Sequence, residues 1–242
     1  MKLAGQVAVV AGAGRGIGKA IALRFAAEGA KVVLASRTAT ELEALAGQIR
    51  AAGGEALAVP TDATNEADVE RLVAKAIKAY GKVDIMVANA GMAYYKSLAE
   101  TSVEEYNAMM NTNMLTTFLA ARKVVPHMIE RRKGMLLIVS SMAGQRGFPN
   151  EAVYCASKHA QVGFSHALDK ELREYNIKVA ALCPGGVNTT FAIGTGRTDG
   201  DPRIAAMLEA DTVAEAALLM CSMPEKARIM EIWMRPMSEG LE

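Results

Sequence analysis

The chain has 242 residues, 51% hydrophobic and 22% charged, with 21 glycines against 7 prolines; that is too apolar for disorder, too mixed for a fibre, and of a size one hydrophobic core can organise. Lys and Arg number 27 against 26 Asp and Glu, a formal charge of +1, so no strong field recruits nucleic acid or an anionic membrane. Apolar runs such as Met135–Val139 and Ala216–Cys221 fall far short of the roughly 20 residues that span a bilayer, the stretch behind Lys2 is no secretory leader, and three scattered cysteines (Cys155, Cys183 and Cys221) suggest neither a disulfide framework nor a metal cluster. A soluble, cytoplasmic globular protein without a metal is the expectation.

Short β-branched runs alternate with longer helical stretches along the chain. Val7–Ala11, Lys31–Ala35, Ala56–Pro60, Val83–Ala88, Met135–Ser140, Lys178–Cys183 and Arg228–Met234 read as strands. They are apolar on successive residues, the pattern of a parallel sheet covered on both faces. Between them, Gly16–Ala27, Thr40–Ala52, Glu66–Tyr80, Val103–Glu130, Tyr154–Tyr175 and Asp211–Ser222 read as helices. Thr40 with Glu43 has the spacing of a capping box, and Gly29, Gly53-Gly54 and Gly81 mark helix ends. The alternation predicts right-handed βαβ units in one α/β domain over residues 1–242: a Rossmann-type, doubly wound parallel sheet of about seven strands flanked by helices. Leu241-Glu242 reads as an appended pair.

In such a sheet, ligands bind beyond the carboxyl ends of the strands. After the first strand stands Gly12-Ala13-Gly14-Arg15-Gly16-Ile17-Gly18. Glycines there let the backbone approach a pyrophosphate resting on a helix amino terminus. Ile17 rules out the G-x-G-x-x-G spacing from Gly12, and Ala13 and Ala20 rule out a P-loop ending in Gly18-Lys19. What fits is G-x-x-x-G-x-G on Gly12, Gly16 and Gly18; alone, it could also be a plain tight turn. The second strand ends in Ala35-Ser36-Arg37, without the acid that would hold a ribose 2′-hydroxyl of NAD. Arg15 and Arg37 could instead clamp a 2′-phosphate, which favours NADP(H) over NAD(H); the bland alternative is two surface arginines. Asp62 in Thr61-Asp62-Ala63 could accept from an adenine amino group, or simply cap a helix. Asn89-Ala90-Gly91 offers a bracing side chain and a close backbone pass after the fourth strand.

Tyr154-Cys155-Ala156-Ser157-Lys158 puts Tyr154 and Lys158 one helical turn apart on one face. A nearby ammonium stabilises a phenolate, which suits the pair to proton transfer. Ser141 ends the fifth strand, where its hydroxyl could hold a carbonyl oxygen. Each signal is weak alone.

Taken together, Gly12-x-x-x-Gly16-x-Gly18, Asn89-Ala90-Gly91, Asn113, Ser141, Tyr154-x-x-x-Lys158 and Pro184-Gly185, in this order, resemble the compact short-chain dehydrogenases/reductases from Leu3 to about Pro236. The resemblance implies Tyr154 as general acid/base and Ser141 as the group that positions the carbonyl. It implies Lys158 on the nicotinamide ribose, Asn113 holding a water that links Lys158 to solvent, and Thr189 at the carboxamide. Cofactor contacts are then expected at Gly12, Arg15, Gly16, Ile17, Gly18, Ser36, Arg37, Asp62, Asn89, Ala90, Gly91, Tyr154, Lys158, Pro184, Gly185, Val187 and Thr189. Ala11 stands where the family often has threonine, Ala88 where a second asparagine is frequent, and Trp233-Met234-Arg235-Pro236 lacks the closing Gly-Gly of fatty-acid β-ketoacyl reductases.

The expected activity is NADPH-dependent reduction of a ketone or aldehyde, reversible as oxidation of a secondary alcohol. The alternatives are a 3-oxoacyl-thioester reductase and a non-catalytic NADP-binding regulator. Enoyl reduction would need lysine where Gln161 stands. The resemblance also implies a homodimer or homotetramer through the Val103–Glu130 and Tyr154–Tyr175 helices. Asn188–Pro202 reads as a mobile lid over substrate and nicotinamide or a plain disordered loop, and Tyr94, Tyr95, Met142, Phe148 and Phe191 as candidates for a pocket wall. His127, His159 and His166 read as ordinary helix residues.

Overall fold

A computed structural model describes residues 1–239; Leu241 and Glu242 lie outside them. Strands β1 (Val7–Ala11), β2 (Lys31–Ser36), β3 (Glu55–Pro60), β4 (Ile85–Ala88), β5 (Gly134–Val139) and β6 (Ile177–Pro184) alternate with helices α1 (Gly16–Ala27), α2 (Ala39–Ala51), α3 (Glu66–Tyr80), α4 (Val103–Met110), α5 (Thr116–Arg131) and α6 (Ala152–Leu172). The short elements β7 (Val187–Asn188), α7 (Pro202–Ala205) and β8 (Leu208–Glu209) precede α8 (Ala210–Cys221) and β9 (Glu231–Met234). Seven strands form one parallel sheet in the order β3-β2-β1-β4-β5-β6-β9, a Rossmann-type arrangement.

Successive residues of β1 point to opposite faces, and both faces are buried. Ala8 and Val10 join Ile21 and Phe25 of α1, Leu42 of α2 and Val213 of α8 in one core. Val7 and Val9 join Leu72 of α3, Val124 of α5 and Leu172 of α6 in the other. This two-sided covering makes the strands apolar at consecutive positions. At the amino ends of the strands, the buried Asp84 carboxylate accepts from Val7 N (2.9 Å) and from Arg131 of α5 (2.8 Å) and pairs with Lys82 (2.9 Å). Burial pushes its carboxyl up, but these three partners win and hold it below its ordinary value.

Several expectations are corrected. The stretch read as one helix, Val103–Glu130, is two helices joined by a π turn over Asn111–Leu115. Thr40 and Glu43 make no capping box; α2 starts after Thr38, which makes no side-chain cap bond. The capping box lies at Ser102 and Glu105, ahead of α4. The last strand starts at Glu231 rather than Arg228, and the fourth at Ile85 rather than Val83. In the Asn188–Pro202 stretch, whose reading as a lid stays an expectation, Asn188 of β7 pairs with β8, and Thr195 O accepts from Tyr95 N at 2.8 Å.

Candidate active site

The carboxyl ends of β1, β2, β4, β5 and β6 open into a cleft of about 1950 Å³. At one end the β1–α1 loop turns through left-handed backbone at Gly12 (φ 72°) and Gly16 (φ 54°). A Cβ on Gly18 would stand 2.1 Å from the Gly12 carbonyl oxygen, so only glycine lets α1 start this close to β1. Asn89 Nδ2 donates to that same carbonyl at 3.1 Å, tying β4 to the loop. No side chain caps α1, and its first-turn amides provide donors suited to an anion. Across the cleft, the Thr189 methyl lies 3.3 Å from where a Cβ on Gly16 would stand.

Arg15, Ser36, Arg37 and Asp62 line the same end of the cleft. Ser36 Oγ is buried without a hydrogen-bond partner, an orphan that a ribose or phosphate oxygen of a dinucleotide would satisfy. Glu41 Oε2 lies 2.6 Å from a Cβ built on Gly14. That carboxylate went unread in the sequence because it follows the strand end by five residues, on the first turn of α2. Asp62 Oδ1 accepts from Thr64 N (2.9 Å) and Thr64 Oγ1 (2.7 Å), bonds that hold its carboxyl below the ordinary value. The helix-cap reading of Asp62 is corrected: Asn65 caps α3, its side chain accepting from Asp68 N, while Asp62 closes the turn before it and lines the cleft. Gly12, Gly16, Ile17, Asn89, Ala90, Gly91, Pro184, Gly185, Val187 and Thr189 also line the cleft; Gly18 stands behind Gly12.

At the cleft floor the structure brings Ser141, Tyr154 and Lys158 together. Ser141 follows β5, accepts from Ala143 N at 3.1 Å and shares the cleft wall with Tyr154. The Tyr154 ring packs edge-on against Tyr95 (centroids 5.7 Å apart) and tilted against Phe191 (6.1 Å). Burial pushes its phenol well above 10, with the nearby Ser141 hydroxyl acting the other way. Lys158 Nζ lies 5.7 Å from the Tyr154 ring centroid and donates to Gln161 Oε1 (2.9 Å) and Val139 O (3.3 Å). Burial lowers its ammonium to about 8. The phenol is thus raised by its own burial, not lowered as the neighbouring lysine was expected to make it. Ser140 faces away and donates to Lys158 O at 3.1 Å.

Asn113, in the π turn, is buried. Its Oδ1 accepts from Met92 N (2.8 Å), and its Nδ2 donates to Met92 O (3.0 Å) and Ser157 Oγ (2.8 Å). Its carbonyl accepts from Gln161 Nε2 at 2.9 Å. A side chain, Gln161, therefore spans the distance between Lys158 and the Asn113 carbonyl.

Tyr95, Met142, Phe148 and Phe191 line the cleft as anticipated, whereas Tyr94 lies outside its lining and under the Lys96 ammonium at 5.9 Å from its ring centroid. Two further residues shape this wall. Burial raises Glu151 to about 7, and Arg197 stacks on Phe191 at 6.0 Å. His166 pairs with Glu231 at 3.5 Å, a partner supplied by a distant strand.

The chain matches the short chain dehydrogenase family model over residues 6–199. An uncharacterized oxidoreductase of Staphylococcus aureus (strain USA300) is 34% identical over 97% of this chain and 98% of its own length. Among solved structures, an alcohol dehydrogenase from the archaeon Thermococcus sibiricus, complexed with 5-hydroxy-NADP, superposes with a TM-score of 0.89 at 29% identity, covering 98% of this chain and 99% of that one. A 3-ketoacyl-(acyl-carrier-protein) reductase from Brucella melitensis, complexed with NADH, superposes at 0.86 with 34% identity over 96% and 98%. The chain belongs to the short-chain dehydrogenase/reductase family. It is an oxidoreductase with a nicotinamide cofactor site.

Proposed function

We propose that the protein reduces a ketone or aldehyde with NADPH and, in reverse, oxidises a secondary alcohol, with Tyr154 as the general acid/base. The observation that carries this reading is the meeting of Ser141, Tyr154 and Lys158 in one cleft, with the Lys158 ammonium 5.7 Å from the centroid of the buried tyrosine ring. When bound, the nicotinamide supplies the hydride. Ser141 holds the carbonyl oxygen, and Tyr154 gives that oxygen its proton as negative charge develops there. Lys158 grips the ribose and stabilises the resulting phenolate. Tyr95 and Phe191 keep water from the tyrosine. One Rossmann-type domain would then carry both cofactor and substrate sites, in a homodimer or homotetramer built through α4, α5 and α6.

For the cofactor, Arg15 and Arg37 favour a 2′-phosphate, whereas Glu41 beside Gly14 suits a 2′-hydroxyl and opposes it. With two cations against one carboxylate, NADPH is the preferred partner. Arg15→Ala and Arg37→Ala should each weaken NADPH binding roughly 10- to 100-fold, the worth of one charge-assisted bond, and leave NADH nearly unchanged. Fluorescence titration with both nucleotides checks this; an unchanged NADPH/NADH ratio would remove the clamp. The likeness to the Brucella enzyme keeps a 3-oxoacyl thioester as the second substrate class, and a β-ketothioester in the substrate panel separates the two.

A further inference from the structure

Gln161 lies on α6 one turn beyond Lys158, fully buried, and neither the nucleotide loop nor the Ser141–Tyr154 pair explains it. A buried amide has two donors and an acceptor to satisfy. The Thr117 hydroxyl donates to the Asn113 carbonyl at 2.9 Å, so its lone pair takes one Gln161 Nε2 hydrogen at 2.6 Å. The other goes to the Asn113 carbonyl itself at 2.9 Å. With both donors engaged, Oε1 alone faces Lys158 Nζ at 2.9 Å. A flipped amide would set NH₂ against an ammonium and oxygen against a carbonyl, so the network fixes the orientation.

We infer that Gln161 is a positioning residue for Lys158: its amide, locked by Thr117 and the Asn113 carbonyl, holds the ammonium charged and in place beneath Tyr154. Gln161 thereby joins Lys158 to the Asn113 carbonyl through one side chain. This deepens the proposed reading of the site and rests on it for its catalytic meaning.

The surroundings of Lys158 make the amide consequential. From α6 it faces Tyr154. From β6 it faces Cys183, whose thiol burial pushes up to about 12 and so keeps neutral. Glu231 of β9 stands behind Cys183, 3.6 Å from its Sγ, and pairs with His166. Among the described residues no carboxylate stands within ion-pair distance of Nζ. Two neutral oxygens, of Gln161 and Val139, are the acceptors that support the charge.

The test is an NMR titration of Lys158 in protein carrying ¹³C,¹⁵N-lysine, its signal assigned by Lys158→Arg, without substrate. Gln161→Met removes the acceptor at similar volume and should cut the proton affinity of Lys158 about tenfold, one pH unit in midpoint. Gln161→Glu substitutes a carboxylate, to which the Thr117 hydroxyl can turn and donate; the midpoint should rise above the parent's by a similar factor. Opposite shifts are a signature that a merely structural residue would not produce. An unmoved midpoint in either variant with a parent-like circular dichroism spectrum, or shifts of the same sign, overturns the assignment. If Gln161→Met does not fold, the isosteric Gln161→Glu decides by itself. NADPH binding, measured separately on each variant, distinguishes failure of this inference from failure of the reductase reading.

Discussion

At neutral pH the burial that raises the Tyr154 phenol and lowers the Lys158 ammonium to about 8 leaves both in the forms reduction requires, a proton donor still protonated and an ammonium still charged. Keeping that ammonium buried has an energetic cost with a definite sign. The group titrates near 10.5 when unfolded and near 8 when folded, so between those values the unfolded chain binds more protons and stability rises with pH. Relative to Lys158→Met, the parent should gain on the order of 3 kcal/mol as pH goes from about 8 to above 10. Urea unfolding of both proteins across that window checks it, and a flat difference would contradict the buried-ammonium picture. Tyr154, Lys158 and Ser141 were legible in the sequence because their chemistry depends on residue type and on the i, i+4 spacing. Gln161 and Glu41 were not, because a single polar residue on a helix reads as solvent-facing until tertiary contacts bury it or turn it into a cleft.

Element by element, the strands and most helices were readable within one to three residues because a doubly covered parallel sheet writes continuous apolar runs. The π turn at Asn111–Leu115 was not: a single widened turn shifts the helical phase too little to break an apolar pattern, yet it presents the Asn113 carbonyl to Gln161. The Thr40–Glu43 spacing misled for a related reason, since α2 begins one turn-position earlier, at Ala39. The glycine pattern of the first turn, by contrast, is dictated by backbone contact. In Gly18→Ala the new Cβ would meet the Gly12 carbonyl oxygen at 2.1 Å, and backbone cannot swing aside as a side-chain tip can. The variant should melt at a clearly lower temperature and bind NADPH at least tenfold more weakly, in scanning calorimetry and fluorescence titration. Parent-like values in both would mean that α1 is not held against β1 as described.

Over the whole molecule, the seven-stranded sheet gathers side chains from β1 through β6 and the loops behind them at one edge, with the dinucleotide loop at one end of the cleft and the aromatic wall around Tyr154 at the other. No helix among the described residues is long and apolar enough to cross a membrane. The near-neutral charge conceals local order: Arg15, Arg37 and Glu41 line the nucleotide end of the cleft, while Glu151 feels the Arg197 charge near the substrate end. The fold and the Tyr154–Lys158 spacing follow from pattern and residue type, whereas the wall around them is built by loops that bring distant residues together. The most direct measurement is NADPH oxidation by the parent and by Tyr154→Phe against diketones, β-ketoesters and aromatic aldehydes, alongside NADPH binding. The account predicts turnover of at least one carbonyl class by the parent and a loss of roughly 10²- to 10⁴-fold in the variant with NADPH binding retained; a Tyr154→Phe protein that keeps parental turnover would contradict it.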